Sequence, residues 1–215
     1  MTWDDLYKDP KFCLKEPAEE VVKLLPILQA SNANRVLDLG FGAGRHVIYF
    51  AKQGFKVYGT DVSNHGKQLT EAWLDQEGLW AELILSDMTV IPYPDNFFDA
   101  CICRGVITHN VVSGIRTCIK EMRRTLRSGG IVMCTFISRE SSEYGIGDEI
   151  EPHTFVPLTG IETGVPHHFT NEAETEILMG CFKRLELYHM KHGGFIDVGI
   201  PYVSAHWVFV GEKAD

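Results

Sequence analysis

The sequence lacks any apolar run of the kind that crosses a membrane. A transmembrane helix needs roughly 18 or more consecutive apolar residues, and no such run occurs among the 215 residues of the chain. The N-terminal segment is polar and acidic, without the basic and apolar regions of a signal peptide. We therefore expect a cytoplasmic protein with no membrane partner.

Basic residues are also scarce. The chain has 20 lysines and arginines against 29 aspartates and glutamates, which gives a formal net charge of −9. A nucleic-acid groove normally appears in a sequence as a basic domain or patch. The nearest basic cluster, in residues 120–127, has the spacing of a solvated helix face. The charge therefore argues against nucleic acid as a partner.

The six cysteines do not form a metal-binding pattern. Cys101 and Cys103 would share one face of a strand, but no second pair follows at metal spacing. Together with Cys118 and Cys134 they lie in apolar stretches, where a free cysteine behaves as a small hydrophobic residue. We expect these four side chains to be buried, and we predict no metal site.

What the sequence does contain is a regular alternation of strands and helices. Five short apolar runs have the character of strands, and amphipathic segments that end in glycine follow the first, second and fourth of them. This alternation indicates βαβ units and a parallel sheet covered on both faces. Two further strand-like runs, in residues 184–193 and 202–213, follow each other without a helix between them. The predicted fold is α/β and doubly wound, with a mostly parallel sheet of seven strands and a C-terminal antiparallel hairpin, a Rossmann-like arrangement.

The length of the chain fits one domain over residues 1–215. Residues 139–169 interrupt the alternation with glycines and prolines and show no helical period. A long excursion of this kind inside a compact domain is usually functional. We predict an inserted loop over 139–169 that covers the active site, and a second cover formed by the N-terminal helical segment, residues 1–33.

The most distinctive motif is a glycine-rich turn directly after the first strand, VLDLGFGAGRH in residues 36–46. Glycine admits close approach of a ligand to the backbone, and the N-terminus of the following helix faces that ligand. The dinucleotide fingerprint G-x-G-x-x-G fails here because Arg45 stands at its third glycine, and no P-loop motif is present. Asp38 would repel a pyrophosphate but attract a cation. The motif therefore favours a cationic, amino-acid-bearing ligand.

Five stretches in order along the chain resemble motifs of the class I S-adenosylmethionine-dependent methyltransferases. The stretch VLDLGFGAG is similar to the first motif of that family, VYGTDVS and LILSDM to the second and third, and IPYPDNFFDACIC with LRSGGIVMCTF to the segments around the fourth and fifth strands. The resemblance covers residues 34–138 closely. More loosely, the whole layout is similar to small-molecule methyltransferases of the tellurite-resistance and thiopurine type.

The resemblance implies S-adenosylmethionine as cofactor, with S-adenosylhomocysteine as its product. It places Asp38 near the ammonium of the methionine portion, Asp61 at the ribose hydroxyls and Asp87 at the adenine amino group, with Met88 packed on the ring. The full predicted cofactor site consists of Asp38, Gly40, Phe41, Gly42, Gly44, Asp61, Val62, Asp87, Met88 and Arg104.

No catalytic residue can be assigned by motif, because the family has no universal one. Position suggests His109 and Arg104 after the fourth strand, and His167 and His168 where the chain returns from the excursion. Each has a plainer alternative: packing for His109, an exposed loop for the histidine pair, and a surface ion pair for Arg104. Trp3 and Tyr7 would either cover the cofactor or pack against the first helix.

The predicted activity is methyl transfer from S-adenosylmethionine to a small-molecule acceptor. A cofactor-binding sensor or subunit without catalysis is the alternative, and a nicotinamide-dependent oxidoreductase is disfavoured by Asp38, Asp87 and the missing third glycine. The acceptor, its reacting atom, the use of a general base and the oligomeric state stay open at this stage.

Overall fold

A computed structural model describes residues 3–196 and 200–214. The elements in chain order are α1 (Trp3–Tyr7), a 3-10 turn (Pro10–Phe12), α2 (Glu19–Ala30), β1 (Arg35–Leu39), α3 (Arg45–Lys52), β2 (Lys56–Asp61), α4 (Asn64–Glu77), β3 (Ala81–Leu85), β4 (Phe98–Cys103), α5 (Val112–Thr125), β5 (Leu126–Ser138), β6 (Asp148–Glu151), β7 (Thr154–Val156), β8 (His167–Thr170), α6 (Glu172–Leu178), β9 (Lys183–Ile196) and β10 (Ile200–Glu212).

Helix boundaries follow local chemistry. Ser63 caps α4 by accepting a hydrogen bond from the backbone N–H of Gly66, and the helix ends at Gly78 in the left-handed conformation. Asn171 caps α6 in the same way by accepting from the N–H of Glu174. Each cap accepts a hydrogen bond from a backbone N–H of the first turn, which has no partner within the helix itself.

The central sheet has the predicted doubly wound form. Its strands run in the order β3-β2-β1-β4-β5 and are all parallel, while β10 pairs antiparallel with β5, and β9 pairs antiparallel with β10. The order reverses between β1 and β4. In open α/β sheets ligands bind at such a reversal, beyond the carboxyl ends of the strands. The mostly parallel sheet and the C-terminal antiparallel hairpin are confirmed.

The strand count of seven is wrong, because the residues that the structure describes form a sheet of ten strands. The three additional strands, β6, β7 and β8, all lie in or at the end of the excursion that was predicted as a loop. Each has only three or four residues, too few for a period-2 pattern to be recognised in the sequence. Their pairing comes from tertiary contacts rather than from local propensity.

The pairing of β5 places the excursion above the end of β4. Ile137 pairs with His206 of β10 and also with Phe169 of β8. Since a strand has only two edges and β10 occupies one, β8 lies on the edge of β5 that β4 occupies further back. The small sheet of β6, β7 and β8 therefore stands beyond the carboxyl end of β4, next to the reversal point.

Side chains of the central strands alternate between two hydrophobic clusters. Leu37, Cys101 and Cys103 pack on one face against α5 and α6, whereas Val36 and Ile102 pack on the other against α2, α3 and α4. The four cysteines expected to be buried are buried, and all six are free thiols. Within the described residues, none of the helices is long and apolar enough to cross a membrane.

Candidate active site

A cavity of about 310 Å³ opens at the carboxyl ends of β1, β2, β3 and β4, where the strand order reverses. This volume falls at the lower end of small-molecule sites. The wall draws on five stretches of chain: Trp3, Leu6, Tyr7, Phe12 and Leu14 from the N-terminal segment; Leu39, Gly40, Phe41, Gly42, Ala43, Arg45 and His46; Thr60, Asp61 and Val62; Ser86, Asp87 and Met88; and Arg104, Gly105, Val106, His109 and Asn110.

The glycine turn adopts a backbone that other residues rarely take. Gly40 has φ 77° and Gly42 has φ 56°, both in the left-handed region. A Cβ on Gly40 would come within 2.2 Å of the Val106 side chain, and one on Gly42 within 2.4 Å of the Tyr7 hydroxyl. Glycine is thus required here for backbone conformation and for space. Gly44, also left-handed at φ 88°, lies behind the wall at the start of α3.

Asp38 is a buried carboxylate without a full set of partners. It is 1% exposed, and its Oδ2 has no hydrogen-bond partner in the described part of the chain. Burial raises the pKa of Asp38 to about 8, opposed by the nearby Arg45 guanidinium. His46 Nδ1 lies 4.0 Å from Asp38 Oδ1, while His46 Nε2 accepts from the N–H of Ala18. An orphaned buried acceptor behind the turn suits a cationic ligand group.

Asp61 links the glycine turn to the end of β2 through hydrogen bonds of its carboxylate. Its Oδ2 accepts the backbone N–H of Gly42 and its Oδ1 accepts that of Ser63, each at 2.8 Å. A carboxylate has about four acceptor positions, and a third backbone N–H, that of Val62, also acts on this one, so acceptor capacity is left for a ligand in the cavity. Burial raises the pKa of Asp61, although these N–H donors oppose the shift.

Asp87 and Met88 form the third side of the cavity, after β3. Asp87 is exposed and its Oδ1 accepts hydrogen bonds from the N–H of Thr89 at 2.8 Å and from its hydroxyl at 2.5 Å. This local turn fixes the carboxylate at the rim. Met88 packs against the core beneath it, and the exposed side chain of Val62 faces it from β2.

Two arginines line the end of the cavity nearest Asp38. Arg104 Nε donates to Oε1 of the buried Glu20 at 2.9 Å, which holds the guanidinium against α2. Arg45, the first residue of α3, also lines the cavity, and its pKa is lowered by burial and by the charge of Arg104. The helix N-terminus and these two cations together favour an anionic ligand group beside the cationic one.

Residues of the N-terminal helix α1 form one side of the cavity. Asp4 Oδ1 accepts from the Ser63 hydroxyl at 2.6 Å and from the His65 N–H at 2.9 Å, which attaches α1 to the start of α4. This attachment presents Trp3 and Tyr7 to the cavity. Of the two alternatives for these aromatic residues, contact with the ligand site is the one that the structure supports.

The predicted histidines separate into two groups. His109 lines the cavity, and its ring makes edge contacts with Trp3 and His167 at centroid distances of 5.0 and 4.8 Å. Burial lowers the pKa of His109 to about 3, with a further contribution from His167. His167 is buried behind His109 and borders a second cavity.

His168 is a structural residue of the small sheet. It is fully buried; its Nδ1 lies 2.7 Å from the Thr154 hydroxyl and its Nε2 lies 3.2 Å from Glu174 Oε1. These contacts tie β8 to β7 and α6, so both ring nitrogens have partners away from the cavity. We therefore do not retain His168 as a catalytic candidate.

The sequence of the cavity-forming segment matches a known family. A family described as a methyltransferase domain matches residues 37–134, the stretch that contains the glycine turn, Asp61, Asp87 and His109. Over these residues, which are a little under half of the chain, the sequence is similar to methyltransferase domains. S-adenosylmethionine is the cofactor that such domains use, and Asp61, Asp87 and the glycine turn face the cavity that would hold it.

Relatives and solved structures agree with this assignment. A ubiquinone/menaquinone biosynthesis C-methyltransferase, UbiE of Cupriavidus taiwanensis, is 31% identical over 125 residues, which are 54% of this chain and 49% of that protein. A methyltransferase structure from Methanosarcina mazei has a TM-score of 0.71 at 22% identity, covering 88% of this chain and 97% of that one. TehB from Haemophilus influenzae has a TM-score of 0.71 at 18% identity, covering 99% and 67%. The chain spans about half the length of the first curated relatives that it matches.

Arg45 and Tyr7 are the residues of the methyltransferase domain's cavity that sequence reasoning undervalued. Arg45 entered the sequence argument only as the residue that breaks the dinucleotide fingerprint, yet its place at the start of α3 was visible there. Tyr7 was left between two alternatives because nothing in the sequence indicates that α1 folds back onto α4.

Proposed function

We propose that the chain binds S-adenosylmethionine in the cavity and transfers its methyl group to a small-molecule acceptor. The observation that carries the proposal is the arrangement around one cavity of the glycine turn, Asp61 and Asp87, with the unpartnered Asp38 oxygen behind the turn. The three acidic residues come from three neighbouring strand ends, so they follow the length of an extended ligand.

Each part of the cofactor has a matching group in the wall. Asp38 would receive the ammonium of the methionine portion, and Arg45 at the start of α3 would receive its carboxylate. Asp61 has acceptor capacity left beyond its backbone N–H donors, and the ribose hydroxyls would use it. Asp87 would accept from the adenine amino group, with Met88 and Val62 on the faces of the ring.

The acceptor would lie at the end of the cavity formed by Trp3, His109 and Asn110. Methyl transfer is a displacement in line with the breaking S–C bond, and holding the two reactants in that geometry can supply roughly 7–11 kcal/mol. A histidine whose pKa lies near 3 is a poor proton acceptor at neutral pH. We therefore assign His109 a positioning role, while Arg104 holds α2 against the site through Glu20.

We also propose that residues 1–215 act as one domain in which two segments cover this site. Five residues of the N-terminal segment line the cavity directly. The excursion reaches it through His167, which contacts His109. Closing such a site would exclude water from the transfer step.

Calorimetry tests the cofactor assignment. We expect saturable binding of S-adenosylmethionine and S-adenosylhomocysteine, and none of NAD. Asp61→Ala should weaken binding by about 10- to 150-fold, since hydrogen bonds to a charged group contribute about 1.5–3 kcal/mol. Asp75→Ala, on the exposed side of α4, is the matched control and should bind as the wild type does. Unchanged affinity in Asp61→Ala would refute the ribose role.

A screen of metabolites for transfer of labelled methyl from S-adenosylmethionine tests the reaction. We expect at least one small molecule to acquire label, and Asp61→Ala to abolish that transfer at subsaturating cofactor. A chain that binds the cofactor tightly but labels none of a broad set of O, N, S and C acceptors would instead be a cofactor-binding sensor or subunit.

A further inference from the structure

A second cavity lies behind the acceptor end of the first one. It has a volume of about 200 Å³ and is bordered by residues of the excursion, among them Glu143, Glu162 and His167. His167 touches His109 of the cofactor cavity through its ring. The two cavities are therefore separated by a wall of two histidines.

Three side chains at this wall present ligand atoms to one another. One ligand atom each from His109, Glu162 and His167 all lie within 4.8 Å of one another. Among these atoms, His167 Nε2 and Glu162 Oε2 lie 3.2 Å apart. Two donors that share an ion at about 2.0–2.2 Å are at most about 4.2 Å apart. Small side-chain rotations are enough to bring the more widely separated of these ligand atoms into that range.

The ring nitrogens at this wall lack ordinary partners. His109 Nδ1 and His167 Nε2 are both buried, and neither makes a hydrogen bond within the described residues. His167 as a whole is 4% exposed. Leaving a buried polar group unpaired costs about 1–3 kcal/mol. A simple His167–Glu162 ion pair has the right distance but not hydrogen-bond geometry, and it leaves His109 unexplained.

The charges around the wall favour a cation. Glu143 borders the same cavity as Glu162 and His167, so two carboxylates face the histidine there. The Tyr202 hydroxyl donates to Glu143 Oε1 at 2.9 Å and so fixes it in place. Metal sites commonly have such hydrogen-bonded carboxylates outside the ligand shell. Glu162 is 30% exposed and provides a route from solvent.

We infer that His109, His167 and Glu162 form a binding site for one divalent transition-metal ion. Two imidazoles and one carboxylate suit zinc or iron(II) in an open site that keeps positions for a further ligand. The sequence does not indicate the set, because its members come from two segments that are far apart in the chain.

At this location the ion would be able to take part in the proposed reaction. This part of the inference rests on the proposed function. His109 belongs to both the ligand set and the cofactor cavity, so an ion there would lie at the acceptor end. A bound ion can hold an oxygen, nitrogen or sulfur donor and favour its deprotonated form. That would supply an activation of the acceptor that His109, a poor base, does not.

Metal titration of the full, untagged chain tests the site without any turnover. The chain is first stripped with a chelator and then titrated with Zn²⁺, and separately with Co²⁺, in a calorimeter. We expect one ion per chain. Glu162→Gln, His167→Ala and His109→Ala should each weaken binding by at least about 100-fold, the upper end of what losing an outer-shell partner costs. Melting temperatures of the variants check that each one folds.

Two matched variants separate this site from adventitious binding. His153→Ala removes a half-buried histidine of the same excursion, and Cys181→Ser removes an exposed thiol; both should bind the ion as the wild type does. Absence of saturable binding, wild-type affinity in Glu162→Gln, or loss of binding in either control would overturn the inference. A chain that binds S-adenosylmethionine but no metal refutes only this inference, and the converse result refutes only the proposed function.

Discussion

At the scale of single residues, Asp38 shows how a binding group can weaken the fold that holds it. The side chain is fully enclosed, one of its oxygens is unpaired within the described residues, and burial raises its pKa to about 8. In the unfolded chain an aspartate ionises near 3.9. Between these values the folded state retains a proton that the unfolded state releases, so the free energy of unfolding falls as pH rises from about 4 to 8.

Asp38→Asn should therefore stabilise the ligand-free protein while weakening the cofactor complex. The neutral asparagine side chain avoids the free-energy cost of burying a charge. A difference of one pKa unit between the folded and unfolded states corresponds to about 1.4 kcal/mol. In urea unfolding, the free energy of unfolding of the variant should exceed that of the wild type. This excess should grow by about 1–3 kcal/mol between pH 6 and pH 9. Calorimetry should show about 10-fold or weaker binding of S-adenosylmethionine. A stability difference that is the same at both pH values would contradict this account of Asp38.

At the scale of elements, α1 is the part of the site with the fewest attachments. It has five residues, too short to be a stable helix by itself. Its position depends on the Asp4 carboxylate, which receives two hydrogen bonds at the N-terminus of α4 and whose pKa they lower. Asp4 is thus one of the groups that attach α1 to the start of α4, beside the buried Leu6 and the ring contact of Trp3 with His109.

Asp4→Ala should release this cover without unfolding the sheet. We expect S-adenosylmethionine to dissociate several-fold faster, because Trp3 and Tyr7 would no longer be held against the cavity. Stopped-flow fluorescence can follow this rate. Lys8→Ala, directly after the same helix, removes an exposed ion pair with Asp5 and should leave the rate unchanged. Equal rates in Asp4→Ala and the wild type would show that α1 is not a cover.

At the scale of the whole molecule, a ten-stranded sheet connects the cofactor cavity, the excursion and the C-terminal hairpin. β5 pairs with β4, β8 and β10, so it connects all three parts. Its side chains are buried over almost its full length. Because one buried strand connects these parts of the fold, they should unfold together in a single transition and not one after another.

Thermal unfolding should accordingly show one transition, shifted by cofactor. At 100 times its dissociation constant, S-adenosylhomocysteine should add about 2.7 kcal/mol, which for a chain of this size corresponds to roughly 5–10 °C in Tm. Circular dichroism and tryptophan fluorescence should give the same midpoint, since Trp3 lies at the cofactor cavity and Trp207 on β10. Two separate transitions would contradict the single-domain proposal.

The sequence by itself determined the parallel sheet, its helices and the cofactor end of the site. Strands such as β1 and β4 are continuous apolar runs because both of their faces are covered, and glycine, Asp61 and Asp87 follow strand ends at fixed spacing. These signals are local, so they can be recognised in a single chain.

Only the tertiary structure decided the acceptor end. The pairing of β8 with β5, the return of α1 to α4 and the meeting of His109 with His167 and Glu162 all join segments distant in the chain. No local period marks such contacts, since they depend on which edges and helix ends the folded sheet leaves open. The glycine turn identifies the methyl donor, and the three-dimensional contacts around His109 shape the site of its acceptor.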